Sequence, residues 1–318
     1  MKAMAAPGYG PLENLAQIEL PLPTPGAGEV RVRVVASALN PADYKVVLGV
    51  IKFLHGRQMP LVVGYDFSGT VDAVGPQVTD IAVGDDVFGF LPYGPFNNRG
   101  AFAEMLIAKS SEIARKPAGI SHEIAAAAAT GGLTALQSIR NLGHLPASGG
   151  SVLVTGVSGG VGSVAVGIAQ KLNATVTAVG SGSGLEMATR LGATDVIDRT
   201  TAKLPADLKA KYDVIFDAAA AYTWGSWRGA LKPGGVFVTT LPSMAFATDK
   251  FTSLFSNTSV QFVAVKSVAA DLNLLATWLE QGLQVPLTDT IPVRDVVKGL
   301  ASLHKSGGRY AVRVADGF

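Results

Sequence analysis

An apolar run that breaks into clustered glycines is the segment of this 318-residue sequence best suited to chemistry: Val152-Leu153-Val154-Thr155-Gly156-Val157-Ser158-Gly159-Gly160-Val161-Gly162. A strand that turns at glycine and re-enters a helix presents free backbone N–H groups at the positive end of a helix dipole, which is how a chain without a metal binds a phosphate. Gly156 permits the tight turn out of the strand, Gly159 and Gly160 let main-chain N–H groups approach a diphosphate, and Gly162 lets helix and strand pack closely. Ser158 and Val161, in the same bend, belong to the expected phosphate contacts. The glycine spacing departs from the standard dinucleotide fingerprint, so the reading rests on the strand before the bend and the helix after it.

The next strand end selects the nucleotide. Sites for NAD place a carboxylate there, roughly 20 residues on, to bind the ribose 2′-hydroxyl. This chain instead reads Val179-Gly180-Ser181-Gly182-Ser183-Gly184, with no acid before Glu186. A 2′-phosphate would meet no like charge, Ser181 and Ser183 can donate hydrogen bonds to it, and Arg199 can pair with it. The expected cofactor is NADPH.

The elements around the bend form an alternating series. Strands 152–154, 175–179, 195–197, 213–216 and 235–239 are separated by helical patterns such as 161–172 and 185–191, the signature of a doubly wound parallel sheet with right-handed crossovers. Before it, residues 1–120 carry short β-type runs broken by Gly and Pro, among them 30–35 and 69–74. The texture changes at 117–121, where Ser121 can cap a helix whose body is the Ala-rich stretch 124–129. After about residue 284 an extended piece near Ile291, a helix over 296–304 and a strand over 310–314 leave the alternation. The expected division is therefore 1–120 plus 285–318 as a β-rich unit and 121–284 as a nucleotide-binding unit.

Composition narrows the function classes. With 48% hydrophobic residues and 26 basic against 24 acidic side chains, the chain reads as globular with about two domains, and its dispersed charge gives no nucleic-acid footprint. Residues 1–10 lack the features of a secretory signal, and no apolar run reaches the roughly 18 residues of a spanning helix, so a soluble cytoplasmic protein is expected, with no membrane partner. There is no cysteine, and His55, His122, His144 and His304 stand apart from one another, so no metal is assigned.

Several stretches occur in an order that is specific as a set: Gly28-Glu29-Val30, Asn40-Pro41-Ala42-Asp43, Gly64-Tyr65-Asp66-Phe67-Ser68-Gly69, Gly84-Asp85-Asp86-Val87, Gly100-Ala101-Phe102-Ala103-Glu104, Gly132-Leu133-Thr134-Ala135 and the bend at 156–162. Over essentially its whole length the sequence resembles the medium-chain dehydrogenase/reductase superfamily. The resemblance implies an α/β chain with a GroES-like β-rich catalytic domain made from both chain ends and a Rossmann domain inserted between them. Zinc alcohol dehydrogenases of that superfamily carry a cysteine in the early loop and a histidine followed by glutamate in the segment corresponding to 64–69. Here those positions offer no cysteine, Tyr65 and Asp66, which disfavours alcohol oxidation by the zinc route. The loop Asn40-Pro41-Ala42-Asp43-Tyr44-Lys45 is similar to that of the zinc-free quinone oxidoreductases and enone reductases. By that likeness Asn40, Asp43 and Lys45 line the nicotinamide end, Thr134 approaches the cofactor, and Gly159, Gly160 and Val161 hold the diphosphate. Many relatives have a Lys in the 2′-phosphate loop, where Ser183 is the nearest counterpart, and a Tyr where Arg199 stands.

Hydride transfer to a conjugated carbonyl needs close positioning and a donor for the oxygen that gains charge. Lys45 is the first candidate for that donor and Tyr44 the second, while Asp66 reads as a buried structural acid. The expected substrate is a small electrophile, a quinone or an α,β-unsaturated carbonyl. The rivals are an enoyl-thioester reductase of fatty-acid or polyketide synthesis and an NADPH-binding protein without turnover. Loops 50–59 and 93–98 are the expected pocket walls. The apolar run 259–265 looks like the edge strand through which relatives pair their Rossmann domains, so a homodimer is expected.

Overall fold

The computed structural model describes residues 1–52, 59–93, 100–202, 208–241, 244–306 and 308–318, with the side chains of 304–306 left out. His55, the side chain of His304 and most of the two expected wall loops therefore lie outside the described residues. The chain divides into two compact units, one formed by residues 1–130 with 266–318 and the other by residues 131–265.

The second unit is built on six parallel strands in the spatial order Asp195–Asp198, Thr175–Gly180, Ser151–Thr155, Tyr212–Asp217, Leu231–Thr239, Ser259–Phe262. The chain begins at the centre, winds outward to one edge, then crosses to the other side of its first strand and winds outward again. The order thus reverses between Ser151–Thr155 and Tyr212–Asp217, and open α/β sheets bind ligands at such a switch point, beyond the carboxyl ends of the strands. These central strands read as unbroken apolar runs because helices cover both faces of a parallel sheet. Leu153, Ile215 and Phe237 are fully buried with Tyr212, Trp224 and Trp227 in one cluster. The helices Gly160–Lys171 and Ser183–Arg190 supply the first two crossovers. Within the 259–265 run, Ser259–Phe262 is the edge strand, and the Val263 N–H adds one more bond to the Thr239 carbonyl at 3.0 Å.

In the first unit the strand Glu29–Ala38 is the hub. It pairs antiparallel with Asp66–Val74, with Met105–Lys109 and with the C-terminal strand Tyr310–Arg313, so the chain's end does return to the β-rich sheet. Alternation sets its faces: Val30, Val32 and Val34 are buried, while Arg31 and Arg33 point outward to the Asp72 carboxylate at 2.6 and 2.8 Å. A separate three-stranded sheet joins Lys2–Ala6 to Ala16–Glu19 and Leu61–Val62.

Both expected boundaries move. The helix predicted after Ser121 runs over His122–Leu136, with the Ser121 hydroxyl accepting the Ile124 N–H at 3.3 Å. Its first half belongs to the β-rich unit because Thr130 donates to the Asp66 carboxylate and Ala127 accepts from Arg309. The helix Ala269–Glu280 also belongs there: it packs on the strand Ile113–Arg115, and Ser267 just before it donates to the Glu112 carbonyl at 2.8 Å. The changes of texture near 120 and 284 put both segments in the nucleotide-binding unit, and long-range contacts reassign them. The division falls at 130 and 265 in place of 120 and 284.

Phe237 is buried in one cluster with Leu153, Ile215 and the two tryptophans, so truncation leaves a cavity in that core. Phe237→Ala is expected to lower the unfolding free energy by about 3–5 kcal/mol in denaturant titration, and a loss under about 1 kcal/mol would contradict this description of the core.

Candidate active site

The glycine bend stands where the sheet order reverses. Gly156 leaves the strand with φ +68°, and the N–H of Gly159 closes the turn on the Gly156 carbonyl at 2.9 Å. Gly159 is the residue that precedes the helix Gly160–Lys171. Its own N–H is therefore engaged, and the helix-start donors without an intrahelical acceptor are those of Gly160, Val161 and Gly162. This narrows the expectation that Gly159 also contributes its N–H. A Cβ added at Gly162 would lie 2.3 Å from the Gly156 oxygen, so the helix start is pressed directly onto the strand end. A diphosphate fits this cradle of bare backbone and positive dipole.

The expected 2′-phosphate residues gather beside it. Ser158 leans onto the first turn of the helix Ser183–Arg190, where a Cβ at Gly184 would be 1.9 Å from its hydroxyl oxygen. The Gly180 carbonyl accepts the Arg199 N–H at 2.9 Å, so Arg199 starts next to Ser181 and Ser183, with its side chain exposed. Asp198, an acid that the strand-end motif does not include, stands close by. Asp198 pairs in register with Gly180, but its carboxylate accepts the Thr200 N–H at 2.9 Å and hydroxyl at 2.7 Å, and those donors hold its pKa below the ordinary value. Thr134 is buried on the helix His122–Leu136, one turn from Gly131, which approaches the Gly160 carbonyl.

The first unit holds the other expected residues. The helix Pro41–Val47 opens with a capping box: Asn40 and Asp43 exchange side-chain and backbone hydrogen bonds, the Asn40 N–H lying 2.6 Å from the Asp43 carboxylate, with Pro41 in the first turn. Asn40 also donates to Asp66 at 2.8 Å and accepts from Arg309 at 2.7 Å. Arg309 and Asp66, 3% and 0% exposed, form an ion pair at 2.7 Å, and Asp66 further accepts the Thr130 N–H at 2.7 Å and the Thr130 hydroxyl. Asn40 and Asp43, expected to line the nicotinamide end, thus face inward and hold the loop in shape. Asp43 gives its carboxylate to the Asn40 and Gly64 N–H groups, with burial pushing its pKa well up and the Asp66 charge acting in the same direction. Tyr44 and Lys45 are the part-exposed candidates on this helix, and burial raises the Tyr44 phenol. Sequence reading missed Arg309, which lies some 240 residues from Asp66 in the chain and next to no recognisable motif.

Two alternatives can be weighed from the same geometry. Ser68, His122 and Asp86 form a chain, with Ser68 Oγ 2.8 Å from Nδ1 and Asp86 3.5 Å from Nε2. Ser68 is fully buried and donates to the Val87 carbonyl at 2.9 Å, so the trio braces neighbouring strands and is no nucleophilic triad. Zinc does not fit either: the chain has no cysteine, and Asp66 is already committed to Arg309, Asn40 and Thr130. Among the described residues no group of three or more His, Cys, Asp or Glu could hold a metal.

A carboxyl whose folded pKa is raised holds its proton more tightly in the fold, so its contribution is fully present below about pH 3.9 and is lost as pH rises towards the folded value. Asp43→Asn keeps an oxygen for the Asn40 N–H and removes the ionisation. The stability of this variant relative to the parent is expected to grow as pH rises from about 4 and then level off. A difference that stays flat or shrinks in pH-dependent denaturant titration would show that Asp43 is not held protonated.

Residues 26–118 match the alcohol dehydrogenase GroES-like domain family and residues 160–281 the zinc-binding dehydrogenase family. The chain is 31% identical over 264 residues to a quinone-oxidoreductase homolog, chloroplastic, from Spinacia oleracea, covering 79% of each chain. It is 35% identical over 225 residues to 2-methylene-furan-3-one reductase of Solanum lycopersicum, covering 69% of this chain and 57% of that one. Its fold matches the quinone oxidoreductase of Coxiella burnetii with a TM-score of 0.86 over 99% of both chains, at 24% identity. A Rossmann sheet and a GroES-like β unit, matched in order along the chain, make this protein a member of the medium-chain dehydrogenase/reductase superfamily, an oxidoreductase family that uses NAD(P)H.

Proposed function

We propose that this chain reduces a quinone or the activated C=C of an α,β-unsaturated carbonyl with NADPH and without a metal. The observation that carries the reading is the strand end Val179-Gly180, followed by serines and no carboxylate, beside a helix start whose N–H donors are open. Asp198, in register with Gly180, gives its carboxylate to Thr200, and Ser181, Ser183 and Arg199 are the residues that receive a 2′-phosphate. Gly160 and Val161 receive the diphosphate, with Ser158 closing the side towards the second helix.

NADPH, when bound, supplies the hydride. What the chain adds is orientation and a donor. Hydride attack at the β-carbon of an enone moves charge to the carbonyl oxygen, and Lys45 donates a hydrogen bond to that oxygen, with Tyr44 as the next candidate. Asn40, Asp43, Asp66 and Arg309 hold the backbone of that loop, so the donor is presented without reorganisation. A quinone gains aromatic stabilisation on reduction and makes less use of the donor. The names of two relatives support this substrate class, one a quinone oxidoreductase homolog and the other a reductase of an unsaturated ketone. No helix among the described residues is long and apolar enough to cross a membrane.

The proposal includes a homodimer. Among the described residues no strand pairs with the outer edge of Ser259–Phe262, and Met244, Phe251, Leu254 and Phe255 nearby are 99%, 63%, 71% and 81% exposed. An open edge flanked by bare aromatic surface is an association site.

Stopped-flow mixing of the enzyme and NADPH with a panel of quinones, enones and an enoyl thioester is expected to show NADPH oxidation by the first two classes. Lys45→Ala should lower the rate with an enone about 10²-fold with NADPH affinity unchanged; no oxidation by any acceptor would overturn the reading, and turnover of the thioester alone would transfer it to an enoyl-thioester reductase. Light scattering at micromolar concentration should give twice the chain mass, and a single-chain mass would remove the dimer.

A further inference from the structure

Among the described residues of the second unit, one buried acid is left without a role by the binding of phosphate. Asp217 ends the strand Tyr212–Asp217 directly opposite Thr155, at the switch point, and is 0% exposed. One carboxylate oxygen accepts the Thr155 hydroxyl at 2.6 Å and the other the Tyr222 N–H at 2.8 Å. The N–H groups of Ala219 and Ala221 also bond to the carboxylate. Residues 218–222 therefore wrap around this single side chain. Ala220 is held in the left-handed region at φ +51°, and the loop is tied to the next strand by the Thr240 N–H on the Asp217 carbonyl at 3.3 Å and the Thr240 hydroxyl on the Ala218 carbonyl at 3.3 Å.

This loop touches the glycine bend. A Cβ at Gly156 would lie 2.8 Å from the Ala219 Cβ, so the two loops that leave the sheet on either side of the switch point are in van der Waals contact. Ligands of open α/β sheets lie in the crevice between such loops. The loop's side chains up to Tyr222 are Ala218-Ala219-Ala220-Ala221, with Ala219 and Ala221 exposed, so it offers a ligand a low wall of backbone and methyl groups. Burial pushes the Asp217 carboxyl up and the four donors oppose that shift. A carboxyl enclosed by its own loop has no path to a substrate, which rules it out as a proton donor.

We infer that Asp217, with Thr155, is a positioning residue for the coenzyme: it fixes loop 218–222 as the second wall of the crevice and so sets dinucleotide affinity without entering the hydride step. This rests on the reading of the glycine bend as an NADPH site. Any donor lost from the carboxylate loosens the wall, whereas the phosphate cradle at Gly160 and Val161 is left intact.

The test is titration calorimetry with NADPH on the full chain, with steady-state kinetics beside it, for the parent, Asp217→Asn, Thr155→Val and Thr155→Ser. Asp217→Asn and Thr155→Val are expected to raise the Kd and the KM for NADPH about tenfold or more while kcat at saturating NADPH stays within about twofold. Thr155→Ser, which keeps the hydroxyl, should restore the parent Kd. Should Asp217→Asn fail to fold, the Thr155 pair decides alone. Folded variants with the parent's Kd, or a fall in kcat at constant Kd, would overturn the inference. A parent that binds no dinucleotide would remove the NADPH reading itself, a result distinct from variants that bind as tightly as the parent.

Discussion

The contact between Gly162 and the carbonyl of Gly156 is the constraint on which the nucleotide-binding unit depends. With any side chain at 162 the helix Gly160–Lys171 could not begin where the strand Ser151–Thr155 ends, and its N–H donors would be displaced from the mouth of the sheet. Everything proposed for the coenzyme follows from that approach. The dipole end is brought to the switch point, Gly156 is set against Ala219, and Ser158 is turned to the neighbouring helix. Backbone donors held by packing need no reorganisation when an anion arrives, which suits them to a ligand that must dock and leave in every turnover.

The β-rich unit depends on a different device, a buried ion pair. Arg309 joins the Asp66 carboxylate, the Asn40 amide and the Ala127 carbonyl, so one guanidinium ties the loop at 40, a central strand, the helix His122–Leu136 and the C-terminal segment. Two buried carboxylates, Asp43 and Asp66, sit near that single cation, and burial keeps Asp43 inclined to hold a proton. The arrangement explains how the superfamily's fold can keep its early loop in place with residues that suit no metal. The acid at 66 is held by a cation from the chain itself.

Much of the fold was legible because its signals are local. The apolar runs at 152–154, 213–216 and 235–239, and the capping serine at 121, each declare their element within a few residues, and their strands and helix appear within one to four residues of the expected ends, apart from the helix, which continues to Leu136. The bend at 156–162 was legible for the same reason. What escaped was set by long-range pairing. Arg309 looks like any surface arginine until Tyr310–Arg313 pairs with Glu29–Ala38 and brings it to Asp66. Asp217 looks like an ordinary strand terminator until the parallel register sets it against Thr155. Asn40 and Asp43 carry functional side-chain types at a functional-looking spacing, yet the capping box and Arg309 turn both inward. The helix Ala269–Glu280 has the texture of a crossover helix and packs instead on a strand of the β-rich unit.

The claim at the centre is that this chain holds a phosphorylated dinucleotide by main-chain donors at its glycine bend, with serines and an arginine in place of an acid at the next strand end. Calorimetric titration of the ligand-free protein with NADPH and, separately, with NADH measures it directly. The account predicts heat of binding with NADPH and an affinity for NADH weaker by at least about tenfold. No binding of either coenzyme, or tighter binding of NADH, would contradict it.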